Sequence, residues 1–459
     1  MVFSSLEFIL LILLPCVCGF HFLKNKTSNR TLQLFLIIFS GLFYCFWSPY
    51  YYLLLVGYAG LGFVLGKEVS RRGKLFFIAS ITLCLAPLLF YKYLPWLSGK
   101  SSWYIPLGIS FYTFQQIAYL SDCYKEKIYD HNCIRYFLFL SFFPQLIAGP
   151  IVHHKQVNET YTHLKSVNIK SSTLLYAISL FAFGFFKKIG IADYFAAFVD
   201  ETYLSIEVID FSTAWMLSFA YTYQLYFDFS GYCDMALGIA LMLGIKLPEN
   251  FKSPYRSGNI SEFWRRWHIT LGAFFKKYVY IPLGGNRNGK VNTLIALFCV
   301  GMLSGIWHGA GLTFVLWGLL HALGLCLHRI WSYKFRMPKI LGVITTFLFV
   351  LIAWVPFRAE SIDQVLIIWG AMINISEYTV PIQIANWVNL PTELISTFEY
   401  QSKGILYVLA IISVVIFTMP RSVKYLEQST HKTAIYSLAA LFISLSLLGR
   451  YSSFIYFDF

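Results

Sequence analysis

The stretch SGIWHGAG, residues 304–311, places His308 among glycines in the middle of an apolar part of the chain. Apolar sequence continues on both sides, which predicts that this histidine lies at membrane depth. A titratable side chain there is costly and is therefore a functional candidate. Just upstream, residues 246–290 form the most basic segment of the chain and contain a second candidate, His268.

The composition predicts a polytopic helical membrane protein. Of the 459 residues, 58% are hydrophobic, 19% are aromatic and only 13% are charged, and the mean hydropathy is +0.62. These values are typical of a chain whose solvent is mostly lipid. The formal charge of +14 does not indicate nucleic acid as a partner, because Lys and Arg occur in short clusters between apolar spans, the positive-inside pattern. The nine cysteines lack metal-ligand spacing and predict no disulfide framework.

Apolar stretches of about 20 residues, enough to cross the hydrocarbon, predict successive membrane helices. We find no soluble domain and no internal repeat, so residues 1–459 are predicted to form one membrane domain. The predicted spans lie at about residues 1–20, 32–48, 50–66, 75–95, 103–121, 135–152, 173–190, 211–243, 291–308, 313–333, 340–357, 404–419 and 433–449.

Charged residues between the spans predict the topology. Basic clusters after the first and third spans place the amino terminus outside and the segment 246–290 in the cytoplasm. Lys187 and Lys188 are predicted near the cytoplasmic face, and the acid-rich stretch 193–210 is predicted as an external loop. The C-terminal RYSSFIYFDF, residues 450–459, is predicted to be external.

Two acids, Asp228 and Asp234, interrupt a long apolar stretch. Either acid could bind a substrate or counter-charge a cation. The alternative is a helix broken at Ser230-Gly231, in which the acids satisfy freed backbone groups. The sequence leaves both interpretations open.

The basic segment contains a predicted amphipathic helix. Ser261 is the predicted N-cap of a helix that begins at Glu262, and His268 lies at the edge of its apolar face, directed toward the bundle. The basic face would attract anionic headgroups or bind a phosphate-rich donor, and both roles remain open. The apolar face comprises Phe263, Trp264, Trp267, Leu271, Phe274, Phe275 and Tyr278, and the opposite face comprises Arg265, Arg266, Lys276 and Lys277.

His308 has the chemistry of a general base. A neutral imidazole can take the proton of a hydroxyl as that hydroxyl attacks an acyl carbon. Trp307 can shape an apolar slot beside it, and the glycines allow close backbone approach. No Gly-x-Ser-x-Gly elbow supports a serine hydrolase, and His308 and His321 lack a third metal ligand. The alternative for His308 and for His321 is a hydrogen-bonded packing residue.

Several long motifs carry a resemblance to a known family. The chain resembles the membrane-bound O-acyltransferase superfamily, most closely its bacterial branch of the alginate O-acetyltransferase type. Peptidoglycan O-acetyltransferases and teichoic acid D-alanyl transfer proteins are similar relatives. The motifs are PLGISFYTFQ (106–115), FFPQLIAGPI (142–151), FGFFKKIGIAD (183–193), YFDFSGYCDMALGIALMLGIKLPENF (226–251), FWRRWHITL (263–271), YIPLGGNR (280–287) and SGIWHGAG (304–311).

The resemblance implies an all-α bundle of roughly 11–13 membrane helices plus re-entrant and interfacial helices, in which a cytoplasmic tunnel meets an external funnel. It implies that His308 is the catalytic histidine of the family and that His268 is its partner. No bound cofactor is implied. The donor would be a thioester, acetyl-CoA or an acylated carrier protein, and would meet Trp307 and the basic face. The acceptor would lie outside the inner membrane, with a separate periplasmic or extracellular transferase of the SGNH type.

The last residues, FIYFDF, resemble a terminal motif of this branch. The resemblance puts Tyr456 in the position of an acyl relay, although Asp458 stands where glutamine is expected. The alternative is an interfacial aromatic belt.

The leading hypothesis is therefore an inner-membrane enzyme that passes acetyl groups outward for O-acetylation of an exported, alginate-like polysaccharide. Peptidoglycan O-acetylation or teichoic acid D-alanylation by the same mechanism are alternatives. A transporter or export component is the non-enzymatic alternative, since broken helices and intramembrane acids also suit a substrate pathway.

Overall fold

The computed structural model describes residues 2–99, 105–375, 404–418 and 430–448, with residues 423, 426 and 455. Every regular element in these residues is helical. The helices are α1 (Leu6–Lys24), α2 (Asn29–Cys45), α3 (Pro49–Arg71), α4 (Lys74–Leu97), α5 (Ile109–Glu126), α6 (Cys133–Ser141), α7 (His154–Thr162), α8 (Ser171–Leu204), α9 (Phe211–Met242), α10 (Ile260–Arg266), α11 (Ile269–Phe275), α12 (Gly289–His308), α13 (Leu312–Trp331), α14 (Lys339–Arg358), α15 (Ile362–Ile373), α16 (Ile405–Thr418) and α17 (Thr430–Ser446). Single π-helical turns lie within α1, α4 and α8, at Ile9–Leu13, Leu89–Tyr93 and Lys187–Ala192, and a fourth, Lys276–Tyr280, follows α11.

The predicted all-α polytopic membrane protein is confirmed. In the described residues, seven helices are long and apolar enough to cross a membrane, namely α1, α3, α4, α8, α12, α13 and α14. Shorter apolar helices are α2, α15, α16 and α17. The total of roughly 11–13 stays a prediction. The predicted external loop 193–210 is wrong over residues 193–204, because these residues form the last part of α8.

The predicted span 135–152 is wrong, because this stretch does not cross the bundle. α6 has nine residues and rises only about 14 Å, and a one-turn helix, Phe143–Leu146, follows it. Both ends of the stretch reach one carboxylate, since Arg135 Nε and His154 Nε2 lie 2.9 and 2.8 Å from Asp130 Oδ2. Burial alone would raise the pKa of Asp130, but these hydrogen bonds outweigh it and lower the pKa. The chain therefore enters and leaves the bundle on one side.

Buried ion pairs join α8 to α9. Lys187 Nζ lies 2.6 Å from Asp234 Oδ2. Lys188 Nζ lies 2.6 Å from Asp193 Oδ1 and 2.9 Å from Asp228 Oδ1. Both lysines belong to the π-helical turn in the middle of α8 and are paired inside the bundle, while their position near the cytoplasmic face stays a prediction. The two acids of α9 therefore counter-charge cations, and the alternative of a broken α9 is wrong because that helix is continuous.

The ion pairs on Lys188 predict a large stability effect. Removing one partner of a buried pair costs about 3–5 kcal/mol, because the other charge stays buried. Lys188→Met leaves Asp193 and Asp228 uncompensated, so we expect a clear fall of the melting temperature in detergent. Lys188→Met combined with Asp228→Asn removes one of the two carboxylate charges and should recover part of that loss. An unchanged melting temperature in the single variant would contradict the assignment.

Contacts between helix ends define two sides of the bundle. His21 Nε2 lies 3.0 Å from the carbonyl oxygen of Met242, which joins the ends of α1 and α9. The segment 246–290 begins directly after α9, and we call this side the basic side. The second side is where the ends of α8 and α14 meet, because Arg358 Nη2 lies 3.0 Å from Asp200 Oδ1 there.

α12 and α13 form a tight antiparallel hairpin. A Cβ atom on Gly305 would lie only 2.6 Å from the Cα of Gly318. Larger side chains at these positions would separate the two backbones. This close approach fixes the turn that carries His308.

Candidate active site

His308 is the last residue of α12, and aromatic side chains enclose its ring. The imidazole centroid lies 4.8 Å from the indole of Trp307, 4.9 Å from that of Trp317 and 5.1 Å from the ring of Phe357. Only 2% of the residue is exposed. The backbone becomes extended at Gly309, so His308 stands where the helix ends and the hairpin turns. The residue is thus buried in the protein, and its position at membrane depth stays a prediction.

His268 lies at a break that the sequence analysis did not predict. A single amphipathic helix through this stretch is wrong, because α10 and α11 are separated by two residues, the second of which is His268. The N-cap is Asn259 and not Ser261, since the Asn259 side chain accepts from the backbone N–H of Glu262 at 2.8 Å. His268 has a φ of 42°. This left-handed conformation is costly for residues other than glycine and concentrates at functional sites.

Asn250 determines which nitrogen of His268 carries the proton. Asn250 Oδ1 lies 3.2 Å from His268 Nδ1 and accepts the backbone N–H of Thr270 at 3.1 Å. Because a backbone N–H can only donate, the atom at this position is the amide oxygen, and Nδ1 must be protonated. Nε2 is then the lone-pair nitrogen, buried and without a hydrogen-bond partner among the described residues. Burial lowers the pKa of His268 to about 3, so the ring is neutral. Asn250 was not singled out, although it lies in the motif YFDFSGYCDMALGIALMLGIKLPENF (226–251).

Trp307 brings the two predicted histidines together. Its ring centroid lies 6.0 Å from that of His268 and 4.8 Å from that of His308. His268 also contacts Phe229, with centroids 4.9 Å apart. The two histidines, forty residues apart in sequence, therefore share one indole. Trp307 was assigned to donor binding, and the structure places it against both imidazoles.

The aromatic lining leaves polar atoms unpaired. Within the part of the chain that the structure describes, no hydrogen bond reaches the ring nitrogens of His321 or the indole N–H groups of Trp307 and Trp317. His321, interpreted from the sequence as a packing residue, is fully buried and lies 4.5 Å from Trp317. Buried polar groups normally find a partner. This cluster is therefore a place where water or substrate would bind.

Comparison with known proteins identifies the family. Residues 102–359, more than half of the chain, match the profile described as MBOAT, the membrane-bound O-acyltransferase family. The chain belongs to the membrane-bound O-acyltransferase family. His268 and His308 both lie inside the matched region, and so does Asn250.

Curated enzymes are similar to this O-acyltransferase over most of its length. The peptidoglycan O-acetyltransferase of Helicobacter pylori is 35% identical, over 100% of this chain and 98% of that protein. The probable alginate O-acetylase AlgI of Pseudomonas aeruginosa is 36% identical, over 82% of this chain and 75% of that protein. The teichoic acid D-alanyltransferase of Bacillus subtilis is 27% identical, over 78% and 97% of the two chains. The protein is thus a multi-pass membrane enzyme that takes an acyl donor.

Two of the four cations predicted to bind the donor are committed to carboxylates in this O-acyltransferase. Arg266 Nη2 lies 2.6 Å from Glu262 Oε1, and Lys277 Nζ lies 2.8 Å from Asp122 Oδ1. The predicted apolar face is buried at Phe263, Trp267, Leu271, Phe274 and Phe275. The other two cations are exposed and form no ion pair with any described residue: Arg265 and Lys276. They remain open to an anionic partner.

The predicted relay residue, Tyr456, lies outside the described residues of this O-acyltransferase. Its neighbour Ile455 is described, and the Ile455 backbone N–H donates to Asp228 Oδ2 at 2.9 Å. Asp228 is 1% exposed and lies in the middle of α9. Ile455 is therefore bonded inside the bundle and not at a lipid-facing surface.

Proposed function

We propose that the enzyme passes an acetyl group from a cytoplasmic thioester, acetyl-CoA or an acylated carrier protein, across the inner membrane for O-acetylation of an exported polysaccharide. The enclosed pair His308 and His268 on Trp307 carries this proposal. α12 begins beside the basic segment and ends at His308 after 20 residues, inside the bundle. The donor then binds at the basic side, and both chain termini face outward.

The chemistry is a transfer from sulfur to oxygen. The His308 imidazole accepts the proton of a hydroxyl while the hydroxyl oxygen attacks the acyl carbon. The new C–O bond forms, the C–S bond breaks, and the thiolate takes the proton back from the imidazolium. His268, neutral and with Nε2 as its acceptor nitrogen, orients the donor beside Trp307. The rings around both histidines keep bulk water from the reactive thioester.

Two acceptors are supported by similarity. An alginate-like exported polysaccharide is the first, from the 36% identity to the probable alginate O-acetylase AlgI. Peptidoglycan is the second, because the alignment with the peptidoglycan O-acetyltransferase covers 98% of that protein. Teichoic acid D-alanylation would use the same chemistry, but the identity to the teichoic acid D-alanyltransferase of Bacillus subtilis is lower, at 27%. In each case we propose a separate external SGNH-type transferase as partner.

Thioester turnover tests the function. The purified enzyme in vesicles should release thiol from acetyl-CoA or from an acetylated carrier protein, whereas a transporter should release none. In cells, deletion of the gene should remove ester-linked acetate from either the exported polysaccharide or the peptidoglycan, which identifies the acceptor. Absence of turnover with both donors would reject the proposal.

The exposed cations predict the donor site. Arg265→Glu with Lys276→Glu should raise the donor KM more than it lowers kcat, because a phosphate contact is made in the ground state and the transition state alike. Lys74→Glu, another exposed lysine at a helix start, is the control and should leave KM unchanged. If KM is unmoved and only membrane insertion suffers, headgroup anchoring is the whole role of this face.

A further inference from the structure

One lysine of α4 faces the bundle. Lys92 lies in the π-helical turn Leu89–Tyr93, and such turns are frequent at functional sites. Most residues of α4 face outward from the bundle. Lys92 is 5% exposed and continues the buried face of Ser80, Cys84 and Leu88, where it is the one charged residue. A cation inside a membrane protein is costly and is seldom kept without a function.

The ammonium group of Lys92 binds the end of the helix that carries His308. Lys92 Nζ donates to the carbonyl oxygen of Trp307 at 2.6 Å and to that of His308 at 2.8 Å. The last carbonyl groups of a helix have no partner within that helix, and water is excluded from the membrane interior. A cation also compensates the negative end of the helix dipole.

No carboxylate pairs with Lys92 in the described residues; its contacts there are these two carbonyl oxygens and the Trp307 ring, 6.0 Å away. A neutral donor would be sufficient to cap a helix. The Lys92 side chain is therefore directed at the two residues that form the candidate active site, Trp307 and His308.

We propose that Lys92 is a positioning residue for acyl transfer. By holding the peptide oxygens of Trp307 and His308, it fixes the imidazole of His308 and the indole that separates the two histidines. The proposal rests on the proposed function, because it needs His308 to act on the acyl group. Displacement of a catalytic group by about 1 Å can cost about 10²-fold in rate.

Lys92→Met tests this role. We expect kcat for thioester turnover to fall about 10²-fold, while the donor KM stays within about twofold of the wild-type value. In a double-mutant cycle, Lys92→Met should have little further effect on the residual rate of His308→Ala, because it acts through that residue. Melting temperatures are measured for each variant.

Tyr93→Phe is the matched control. The Tyr93 hydroxyl donates to the carbonyl oxygen of Ile306, on the same helix end but before the site residues. Its loss should lower the melting temperature but leave kcat near the wild-type value. If Lys92 were merely structural, both variants would lose stability and neither would lose kcat per folded molecule.

The outcomes separate this inference from the proposed function. Wild-type enzyme without turnover rejects the function. If the wild-type enzyme turns over and a folded Lys92→Met is fully active, the inference alone is rejected. The same holds if the effects of Lys92→Met and His308→Ala on the rate are simply additive. If Lys92→Met does not fold, Lys92→Arg is compared instead, since it keeps the charge but shifts the donors. A folded Lys92→Arg with wild-type kcat would overturn the positioning role.

Discussion

His308→Ala is expected to lower acetyl transfer by about 10²- to 10⁴-fold, the usual contribution of a general base. Without the imidazole, the attacking hydroxyl keeps its proton and remains a weak nucleophile. Three aromatic rings surround His308 within about 5 Å, so the alanine variant also leaves a cavity. We therefore expect a moderate fall in melting temperature as well.

His308→Gln separates the two effects, because it keeps most of the volume and removes the base. Its rate should be as low as that of the alanine variant, with a melting temperature nearer to that of the wild type. His21→Gln is the control: it changes a histidine near the end of α1 that contacts the carbonyl oxygen of Met242 and not the cluster around His308, and it should retain turnover. Transfer is measured as thiol release and as polymer acetate. A folded His308→Gln with wild-type turnover would exclude His308 as the base.

The sequence predicted those features that depend on local composition. The length of the apolar spans and the charge clusters between them were sufficient for an all-α membrane bundle. The 3.6-residue period identified Phe263 and Trp267 as buried, although the helix ends at Arg266 and Trp267 lies in the break that follows it. His308 and His268 were found from their motifs, and both proved to be enclosed.

Features that depend on distant contacts were not predicted. The break at His268 depends on Asn250, which is brought to it by the fold and holds its Nδ1. The neutralisation of Lys188 by Asp193 and Asp228 inside the bundle was not predicted, because a lysine pair usually marks a membrane face. The stretch 135–152 is apolar enough to span, and only the shared contact with Asp130 shows that it returns to the same side.

The second large expected effect is the loss of polymer acetylation when the hydroxyl of Tyr456 is removed. A thioester donor does not cross the bilayer, so the acyl group must be handed from the donor to an acceptor outside. In the relay hypothesis, the phenol oxygen of Tyr456 attacks the acyl carbon, its proton passes to His308, and the thiolate leaves. An external hydroxyl then attacks the aryl ester: the new C–O bond forms, the bond to the tyrosine oxygen breaks, and the proton of the hydroxyl passes to the departing tyrosine oxygen. A phenol is a better leaving group than an alkyl alcohol, which suits an intermediate carrier.

The hydrogen bond from Ile455 to Asp228 supports the relay over an aromatic belt, because it anchors the neighbouring residue inside the bundle. Tyr456→Phe preserves the ring and removes only the oxygen. It should stop polymer acetylation and remove any acetyl adduct from the C-terminal peptide in mass spectrometry, while slow thioester hydrolysis at His308 continues. Tyr451→Phe, which changes another tyrosine of the same terminal segment, is the control and should retain both signals. Normal polymer acetylation in Tyr456→Phe would instead mean that the acyl group passes directly from the His308 site to the external transferase.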